Sequence, residues 1–561
     1  MILNRKVQFL AINSRYTHSC LALFYLRTII RDLSYDCQIV EYSINDQYLD
    51  ICDGIYNSKP DILVLSVYIW NKEIIEYLLR DIKKVLPELI IVIGGPEASY
   101  NVDYYRDKYP VDYIVTGAGE KAFYELASSG FQDSNSVIQK ENYSFSQIAF
   151  PYLESDKEQL RNKYVYYESS RGCPFKCSYC LSSRSDQALE YKAVEQVKEE
   201  LLSLISFSPN IIKFIDRSFN VDKAFAKAIW SYLIDLNPNC IFHFEIHPLF
   251  IDDEMLEILA KSPKGLFQFE IGVQSVNKQT IHEINRDSNW DEIESKVKGL
   301  FEIKNIHYHL DQIAGLPFED YNSLRNSFNK IISLKPDHYQ TGVLKVLYGT
   351  EMYEKQLEYG IKYSDKTPYQ IFSTKWLNYE ELQEYIAIDH VIDTIYNAKH
   401  FYYFKETLFV EARDIYNAFL AISKSLQLHK IKKNEKNFQK IFSVITEAIE
   451  EIAFDPHDKV LLFDSLRLDW AVLSQAHYYP EKLRGEICDE FRQITWSFIK
   501  EHREKDYFVY QGVRFTLSDL RKARFYRALD NSFYQHFYQE NKEIEGLIVI
   551  DANTIIKWVK P

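Results

Sequence analysis

The chain has 561 residues, with 66 Lys and Arg against 80 Asp and Glu and a formal charge of −14. That length exceeds one hydrophobic core, so two to four domains are expected, while 46% hydrophobic and 26% charged residues is ordinary globular composition. The acidic balance argues against a broad phosphate-tracking surface and so against a nucleic-acid partner.

No apolar run reaches the length of a membrane span. Met1 to Leu10 runs straight into a strand, not into a signal-peptide apolar core with a cleavage site. Eight sparse cysteines suit a reducing, cytoplasmic setting.

Residues 1–146 read as continuous apolar strands alternating with helices. The strands are Val7–Ile12, Cys37–Tyr42, Asp61–Val67, Leu89–Ile93 and Tyr113–Thr116. Helices are expected over Ser19–Leu33, over Lys72–Val85 and after Glu120. This pattern predicts a doubly wound, Rossmann-like α/β domain with a parallel sheet. Such sheets bind ligands at the carboxyl ends of their strands, near the point where strand order reverses. Glycines and small polar residues collect there: Asn13, Ser14, Ser66, Gly94, Gly95, Gly117 and Gly119. Gly117-Ala-Gly-Glu-Lys-Ala122 also fits the dinucleotide fingerprint GxGxxA. It follows the last strand of the domain, and no strand ending in an acidic residue comes next. Nicotinamide binding is therefore the weaker reading.

A linker over 147–162 leads into residues 163–355. Arg171-Gly-Cys-Pro-Phe-Lys-Cys-Ser-Tyr-Cys180 places Cys173, Cys177 and Cys180 in CxxxCxxC spacing, with Tyr179 just before the last. Three thiolates on one loop can hold three irons of a 4Fe–4S cube and leave the fourth for a chelating ligand. A zinc knuckle prefers CxxC pairs and a fourth Cys or His, and none is close in sequence. Strands are expected at Tyr164–Ser169, Ile211–Ile215, Ile241–Ile246, Leu266–Ile271, His307–Ile313 and Tyr339–Leu347, with helical patterns between them. Six βα units describe a partial (β/α)6 barrel of the TIM type, with strand carboxyl ends at one mouth. Asp216, Glu245, Glu270 and Asp311 stand at or near those ends. Charges in apolar strands are costly unless they are paired or face a polar cavity.

The cysteine spacing with Tyr179 resembles the radical S-adenosylmethionine (SAM) superfamily. Gly94-Gly95-Pro96-Glu97 and Thr116-Gly-Ala-Gly-Glu120, lying upstream, resemble the cobalamin-binding domain of its cobalamin-dependent members. The resemblance implies a 4Fe–4S cluster on the three cysteines, SAM on its open iron, and cobalamin on the first sheet. Glu270 and Gln274 of Gly-Val-Gln-Ser275 would then contact SAM, with Glu245 nearby. Tyr179 and Ile313 to Gly315 would flank its adenine. Asp216 would take the amino-binding role, although Ile-Asp-Arg-Ser218 stands where the family usually has a glycine-rich stretch. Cobalamin would lie against Ser14, Tyr16, Thr17, Ser66, Gly94, Gly95, Pro96, Glu97, Gly117, Gly119 and Glu120. The DxHxxG motif, whose histidine binds cobalt from below, is absent, and Asp455-Pro-His-Asp-Lys-Val460 lacks its glycine. Cobalt's lower face is then open, or met by Tyr16, Thr17 or His18.

Residues 356–561 read as mainly helical, with helical spacing over Tyr379–Tyr396, Asn434–Ile452 and Gly485–Glu501. Arg514–Leu517 and Leu547–Ile550 read as short strands. The region resembles an uncharacterised family of domains found behind cobalamin-dependent radical SAM cores. Asp464, Trp470 and His477 are read as core or capping residues there.

The implied activity is reductive cleavage of SAM to a 5′-deoxyadenosyl radical, with methylation of an unactivated carbon in a small-molecule or peptide substrate. An external electron donor of flavodoxin or ferredoxin type would serve the cluster. The alternatives are a non-methylating enzyme of the cyclase or ring-contraction type, and a non-catalytic corrinoid-binding sensor or assembly partner. A tRNA methylthiotransferase would need a second set of clustered cysteines upstream, and Cys20, Cys37 and Cys52 form no tight motif.

Overall fold

The computed structural model describes residues 5–184, 188–286, 288–412, 414–452, 455–474, 479–483, 493, 497, 500, 507–510, 513–516, 524–528, 532–538, 544–551 and 554–559. The chain divides into two compact units, residues 1–327 with 342–379, and residues 328–341 with 380–561.

The first unit begins with six strands: β1 (Arg5–Asn13), β2 (Tyr35–Ser43), β3 (Ile62–Ser66), β4 (Ile90–Gly94), β5 (Tyr113–Val115) and β6 (Val137–Ile138). Their order is β2-β1-β3-β4-β5-β6, and all the pairs are parallel. Alternate residues of each strand enter opposite cores. Ile62 and Val64 pack with Val7, Phe9 and Phe123 on one face, and Leu63 and Leu65 pack with Ile55, Leu78 and Ile82 on the other. Both faces are thus covered by helices, which is why these strands read as unbroken apolar runs. The helices are α1 (Leu21–Ile29), α2 (Tyr48–Ser58), α3 (Lys72–Val85), α4 (Pro96–Tyr100), α5 (Val102–Lys108) and α6 (Glu120–Ser128). The helix expected over Ser19–Leu33 is therefore shorter, and α2 and the short β6 are additions that the sequence pattern did not announce. Strand order reverses between β1 and β3, so the predicted ligand edge lies at their carboxyl ends and those of β4 and β5.

The short helix α7 (Lys157–Leu160) leads into the second sheet, whose strands are β7 (Tyr164–Tyr167), β10 (Ile211–Phe214), β11 (Ile241–Glu245), β12 (Phe267–Gln274), β13 (His307–Ala314) and β14 (His338–Val343). Between β7 and β10 lies a small antiparallel pair, β8 (Ser170–Arg171) and β9 (Glu190–Tyr191), which closes the base of the cysteine loop. The six strands lie in sequence order, β14-β13-β12-β11-β10-β7, with α8 (Val194–Ser206), α9 (Lys223–Leu236), α10 (Asp253–Leu259), α11 (Lys278–Glu283), α12 (Trp290–Phe301) and α13 (Tyr321–Ile332) between them. This is the expected open barrel. Phe244 and Phe269 turn outward against Trp230 of α9, so His243, Glu245, Gln268 and Glu270 face the inside.

The open edge at β7 is covered by the loop that follows β1. Tyr164 N–H donates to Thr17 O at 2.7 Å, Ser19 Oγ donates to Tyr164 O at 3.0 Å, and His18 Nδ1 lies 2.6 Å from Tyr166 OH. Two buried ion pairs reinforce the junction, Lys163–Glu41 at 2.8 Å and Arg27–Asp156 at 2.6 Å. The first unit runs on to Tyr379, past the residue-355 boundary expected from the sequence. The reason is a small hairpin, β15 (Lys362–Tyr363) and β16 (Ile371–Ser373), that inserts Tyr369 between its strands. Tyr369 OH donates to Glu97 Oε2 at 2.7 Å, and Lys72 Nζ lies 3.3 Å from the same carboxylate.

In the second unit, the helix Pro456–Leu473 packs Leu461 and Leu468 against Tyr526, Leu547 and Val549 of an antiparallel sheet. That sheet joins Arg524–Tyr526, Ile544–Asp551 and Thr554–Val559. Asp464 pairs with Arg467 at 2.9 Å in this core, and Trp470 packs edge-on against Phe442. The expected helix at Tyr379–Tyr396 is α-helical to Val391 and π-helical from Ile392 to Tyr396. His477 lies outside the described residues, as does most of the helix expected over 485–501. No helix among the described residues is long and apolar enough to cross a membrane.

Two predictions test this packing. Gly95 has φ +90°, and a Cβ there would lie 2.7 Å from Val67 O; Gly117 has φ +77° with nothing within 4 Å. Left-handed strain of about 1–2 kcal/mol applies at Gly117, while Gly95, with ψ 172°, lies in a positive-φ extended region that only glycine readily adopts. Gly117→Ala therefore costs about 1–2 kcal/mol and Gly95→Ala more, read from chemical-denaturation midpoints. Glu319 is fully buried, and its Oε1 accepts from Ser275 Oγ and Ser327 Oγ. Burial pushes its carboxyl up to about 8, with the two serines opposing. The unfolded chain releases this proton near the ordinary glutamate value while the folded chain keeps it, so stability falls as pH rises through that window. Thermal melts from about pH 5 to about pH 8 should therefore show a downward slope that Glu319→Gln flattens.

Candidate active site

The cysteine loop sits at the carboxyl mouth of the barrel, directly after β8. Its backbone is pinned on both sides: Ser178 N–H donates to Ile284 O at 3.1 Å, and Met352 N–H donates to Ser178 O at 2.9 Å. Cys180 N–H donates to Cys177 O at 3.1 Å, folding the CxxC half into a turn. Cys177 is buried, while Cys173 and Cys180 are half-buried. Phe175 stacks on His247 at 4.8 Å and holds the loop against the end of β11.

Arg286, which the sequence reading did not single out, stands beside the thiols. Its Nη2 donates to Gly272 O at 2.7 Å, and its Nη1 lies 3.7 Å from Cys177 Sγ. A cation so placed can offset the negative charge that sulfur ligands bring to a cluster. Burial pushes the Cys173 thiol up, and the neighbouring Cys177 and Cys180 add to this, as expected of three sulfurs gathered in one place. Among the described residues no three His, Cys, Asp or Glu side chains converge on a single-ion site. Three sulfurs on one loop can each hold a different iron of an iron–sulfur cube and need no convergence on a single ion.

Inside the barrel the acids form a row across adjacent strands. Glu245 of β11 lies in register with Glu270 of β12, and Gly272 of β12 with Asp311 of β13. Burial works against the Glu270 anion, but His243 (3.1 Å), Lys213 and His309 outweigh it and hold its carboxyl low. Burial and the Glu270 charge push the Asp311 carboxyl well up from the ordinary carboxylate range. Glu245 is raised to about 7 by burial, with Arg217 at 3.6 Å opposing. Beyond Glu270 a register shift between Gly272 and Gln274 re-aims the strand end, and Gln274 adopts φ +70°. Such an outlier marks a position held by its surroundings. Among the described residues Gln274 Oε1 is buried with no hydrogen-bond partner, which leaves an acceptor that a SAM hydroxyl or ammonium would suit. Tyr179 is half-buried against Cys177 and Arg286. Ile313 and Gly315 lie at the end of β13 and just beyond it, Gly315 with φ +87°.

Asp216 is placed differently from its expected role. Its oxygens accept from Ser169 N–H at 3.1 Å, Ser169 Oγ at 2.7 Å and Ser170 Oγ at 2.5 Å. Burial raises it to about 6. It braces the start of the cysteine loop from behind.

The glycine-edged loops of the first sheet gather at its carboxyl edge. Gly117 and Gly119 both have positive φ, and the space at Gly117 is open. Thr116 Oγ1, at the head of this turn, is buried and has no hydrogen-bond partner among the described residues. Ser66 is buried, Ser14 half-buried and Tyr16 79% exposed, with its ring under Lys163. Gly94 ends β4 and Pro96 opens α4. Thr17 and His18 are engaged with β7, as described, which leaves Tyr16 as the exposed one of the three residues named for cobalt's lower face. Tyr68 and Trp70 stack at 4.3 Å just past β3, with Trp70 44% exposed. This aromatic edge was missed in the sequence because nothing about its spacing distinguishes it. Glu97 and Glu120 are both buried and paired, Glu97 with Lys72 and Tyr369, and Glu120 with Arg171 at 3.0 Å. An open glycine turn and an orphaned buried hydroxyl fit a large planar group such as a corrin, carried largely by backbone.

Three family models match the chain in series: "B12 binding domain" over residues 7–127, "Radical SAM superfamily" over 167–331, and "Protein of unknown function (DUF4080)" over 357–550. Among curated proteins, the chain is 23% identical over 368 residues to the cobalamin-dependent radical SAM methyltransferase TokK of Streptomyces tokunonensis, covering 58% of this chain and 53% of TokK. The chain spans about half the length of the curated relatives it matches. Among solved structures it resembles the cobalamin-dependent SAM radical enzyme OxsB, with TM-score 0.56, 14% identity and 84% of each chain covered. It also resembles the radical SAM methyltransferase TsrM of Kitasatospora setae, with TM-score 0.54, 15% identity, 65% of this chain and 82% of TsrM. At such identities the structural likeness speaks for the fold. The matched models, in series along the chain, give it a B12-binding domain, then a radical SAM domain, then a region of the DUF4080 type.

Proposed function

We propose that the protein is a cobalamin-dependent radical SAM enzyme that methylates an unactivated carbon of a small-molecule or peptide substrate. The observation that carries this reading is the placement of Cys173, Cys177 and Cys180 at the barrel mouth, with the glycine turn of the B12-binding domain packed beside the same loop. Bound there, the cluster and SAM supply a radical able to take hydrogen from an unactivated carbon, and the corrinoid supplies a methyl group.

The chain's own residues bind and position. The three cysteines hold the corners of the cluster, and Arg286 offsets their negative charge. Glu270, its carboxyl held low by His243 and Lys213, would face the ammonium or hydroxyls of SAM, with the raised Asp311 carboxyl beside it. Tyr179 and Ile313 offer apolar faces for the adenine. Ser14, Ser66, Thr116 and the turns at Gly94 and Gly117 offer the polar and backbone groups for the corrinoid. Electrons would come from an external donor of flavodoxin or ferredoxin type. The kinship with TokK supports methyl transfer as the outcome.

The test uses the full chain, reconstituted anaerobically with iron, sulfide and hydroxocobalamin and then given SAM and dithionite. The reading expects 5′-deoxyadenosine together with S-adenosylhomocysteine, and Cys177→Ala should lose the cluster absorbance and 5′-deoxyadenosine while keeping its circular dichroism. Release of 5′-deoxyadenosine without S-adenosylhomocysteine would favour a non-methylating enzyme. Corrinoid binding with no SAM cleavage would sink the enzyme reading in favour of a sensor.

A further inference from the structure

Arg171 immediately precedes Gly172 and Cys173, and its guanidinium joins segments far apart in the chain. Nε and Nη2 donate to the two oxygens of Glu168 at 3.0 and 2.7 Å, and Nη1 lies 3.0 Å from Glu120 Oε1. Phe145 and Tyr25 cover it at 4.9 and 5.7 Å. The side chains of Arg171, Glu120 and Glu168 are at most 16% exposed, so water screens these contacts little.

What lies at each end of this contact matters. Glu120 is the first residue of α6 and follows Gly119 (φ +91°), so its carboxylate is fixed to the glycine turn of the B12-binding domain. Arg171 is separated from Cys173 only by Gly172, whose φ is +102° and whose Cβ, if it had one, would sit 3.1 Å from Ala188 O. The path from one turn to the other is therefore one carboxylate and one guanidinium, each next to a glycine at positive φ (Gly119 and Gly172). The other buried clamps of the junction reach elsewhere: Lys163–Glu41 ends at the start of β7, and Arg27–Asp156 at the linker. Neither pair includes a residue adjacent in sequence to Cys173, Cys177 or Cys180. Arginine also suits the task in a way that lysine does not, since its planar fork serves two carboxylates at once.

We propose that Arg171 and Glu120 are a positioning pair that registers the cysteine loop against the Gly117–Glu120 turn, and so fixes the distance between the cluster and the corrinoid. The inference rests on both groups binding where the proposed function puts them. Such a separation has to be held tightly, because a misplacement of about 1 Å between reacting groups can cost about a hundredfold in rate. Glu120, read from the sequence as a cobalamin contact, acts in this account through Arg171.

The experiment measures distance and needs no substrate. The full chain is loaded with cluster and hydroxocobalamin and reduced. Electron paramagnetic resonance then reads how far the cluster's spin speeds relaxation of the cob(II)alamin signal. Wild type should give one strongly relaxed population. Glu120→Gln and Arg171→Lys should keep both groups, by iron, sulfide and corrinoid content, but spread the half-saturation power several-fold. Asp156→Asn, which cuts the linker clamp, should leave it as in wild type.

Unchanged relaxation in both pair variants would overturn the proposal. An equal spread in Asp156→Asn would overturn it too, by assigning the effect to general loosening of the junction. Selective loss of cobalamin from Glu120→Gln would make Glu120 a direct ligand instead, and loss of fold in both variants would make the pair a folding element. Failure of the wild type itself to take up either group would refute the proposed function, a result distinct from all of these.

Discussion

A parallel sheet that stops at six strands leaves an edge of unpaired backbone, and covering that edge governs how the rest of the first unit is arranged. Strand β7 carries the edge, and an exposed edge of this kind invites pairing with other chains. The loop after β1 covers it, with Thr17 O accepting from Tyr164 N–H at 2.7 Å and His18 reaching Tyr166. That loop belongs to the carboxyl edge of the first sheet, so protecting the barrel also lays the ligand edge of one domain along the first strand of the other. The buried ion pairs along the seam then hold the arrangement. Removing one partner from such a pair costs about 3–5 kcal/mol, because the remaining charge stays buried alone.

The barrel's interior is chemically unlike an ordinary filled barrel. There, layers of Val, Ile and Leu close the centre, and each such side chain, fully buried, would contribute about 1.5–3 kcal/mol. This barrel instead turns His243, Glu245, Glu270, His309 and Asp311 inward and sends its phenylalanines outward to the helices. The aromatic layer between sheet and helices supplies the apolar burial that the interior gives up. The acids are pushed in opposite directions: His243 and Lys213 hold the Glu270 carboxyl low, while burial and the Glu270 charge push Asp311 up.

Much of this architecture was legible in the chain. Lys72–Val85 is a helix over the span that its apolar periodicity predicts, and the apolar runs at Val7, Ile62 and Ile91 are strands because both sheet faces are covered. The cysteine spacing and the glycine turns were legible for a similar reason: φ near +90° at Gly95 and Gly119 is a local backbone demand that only glycine meets without strain. Individual acids were far less legible. Glu97, Glu120 and Asp216 look alike as strand-end carboxylates, yet in the fold each is already bonded to the chain, through Tyr369, Arg171 and the pair Ser169 and Ser170.

What the sequence determined by itself was the set of groups: three thiols on one loop, glycines at strand ends, and two runs of βα units in order. These are local properties, written in spacing and periodicity over a few to a dozen residues. Only the tertiary structure decided which of those groups remain available to a ligand and which hold the two sheets together. Arg171 and Glu120 are 51 positions apart, and Glu97 and Tyr369 are 272 apart. No local pattern encodes such partners, because the energy of a buried charge is set by whatever the fold brings within about 3 Å of it.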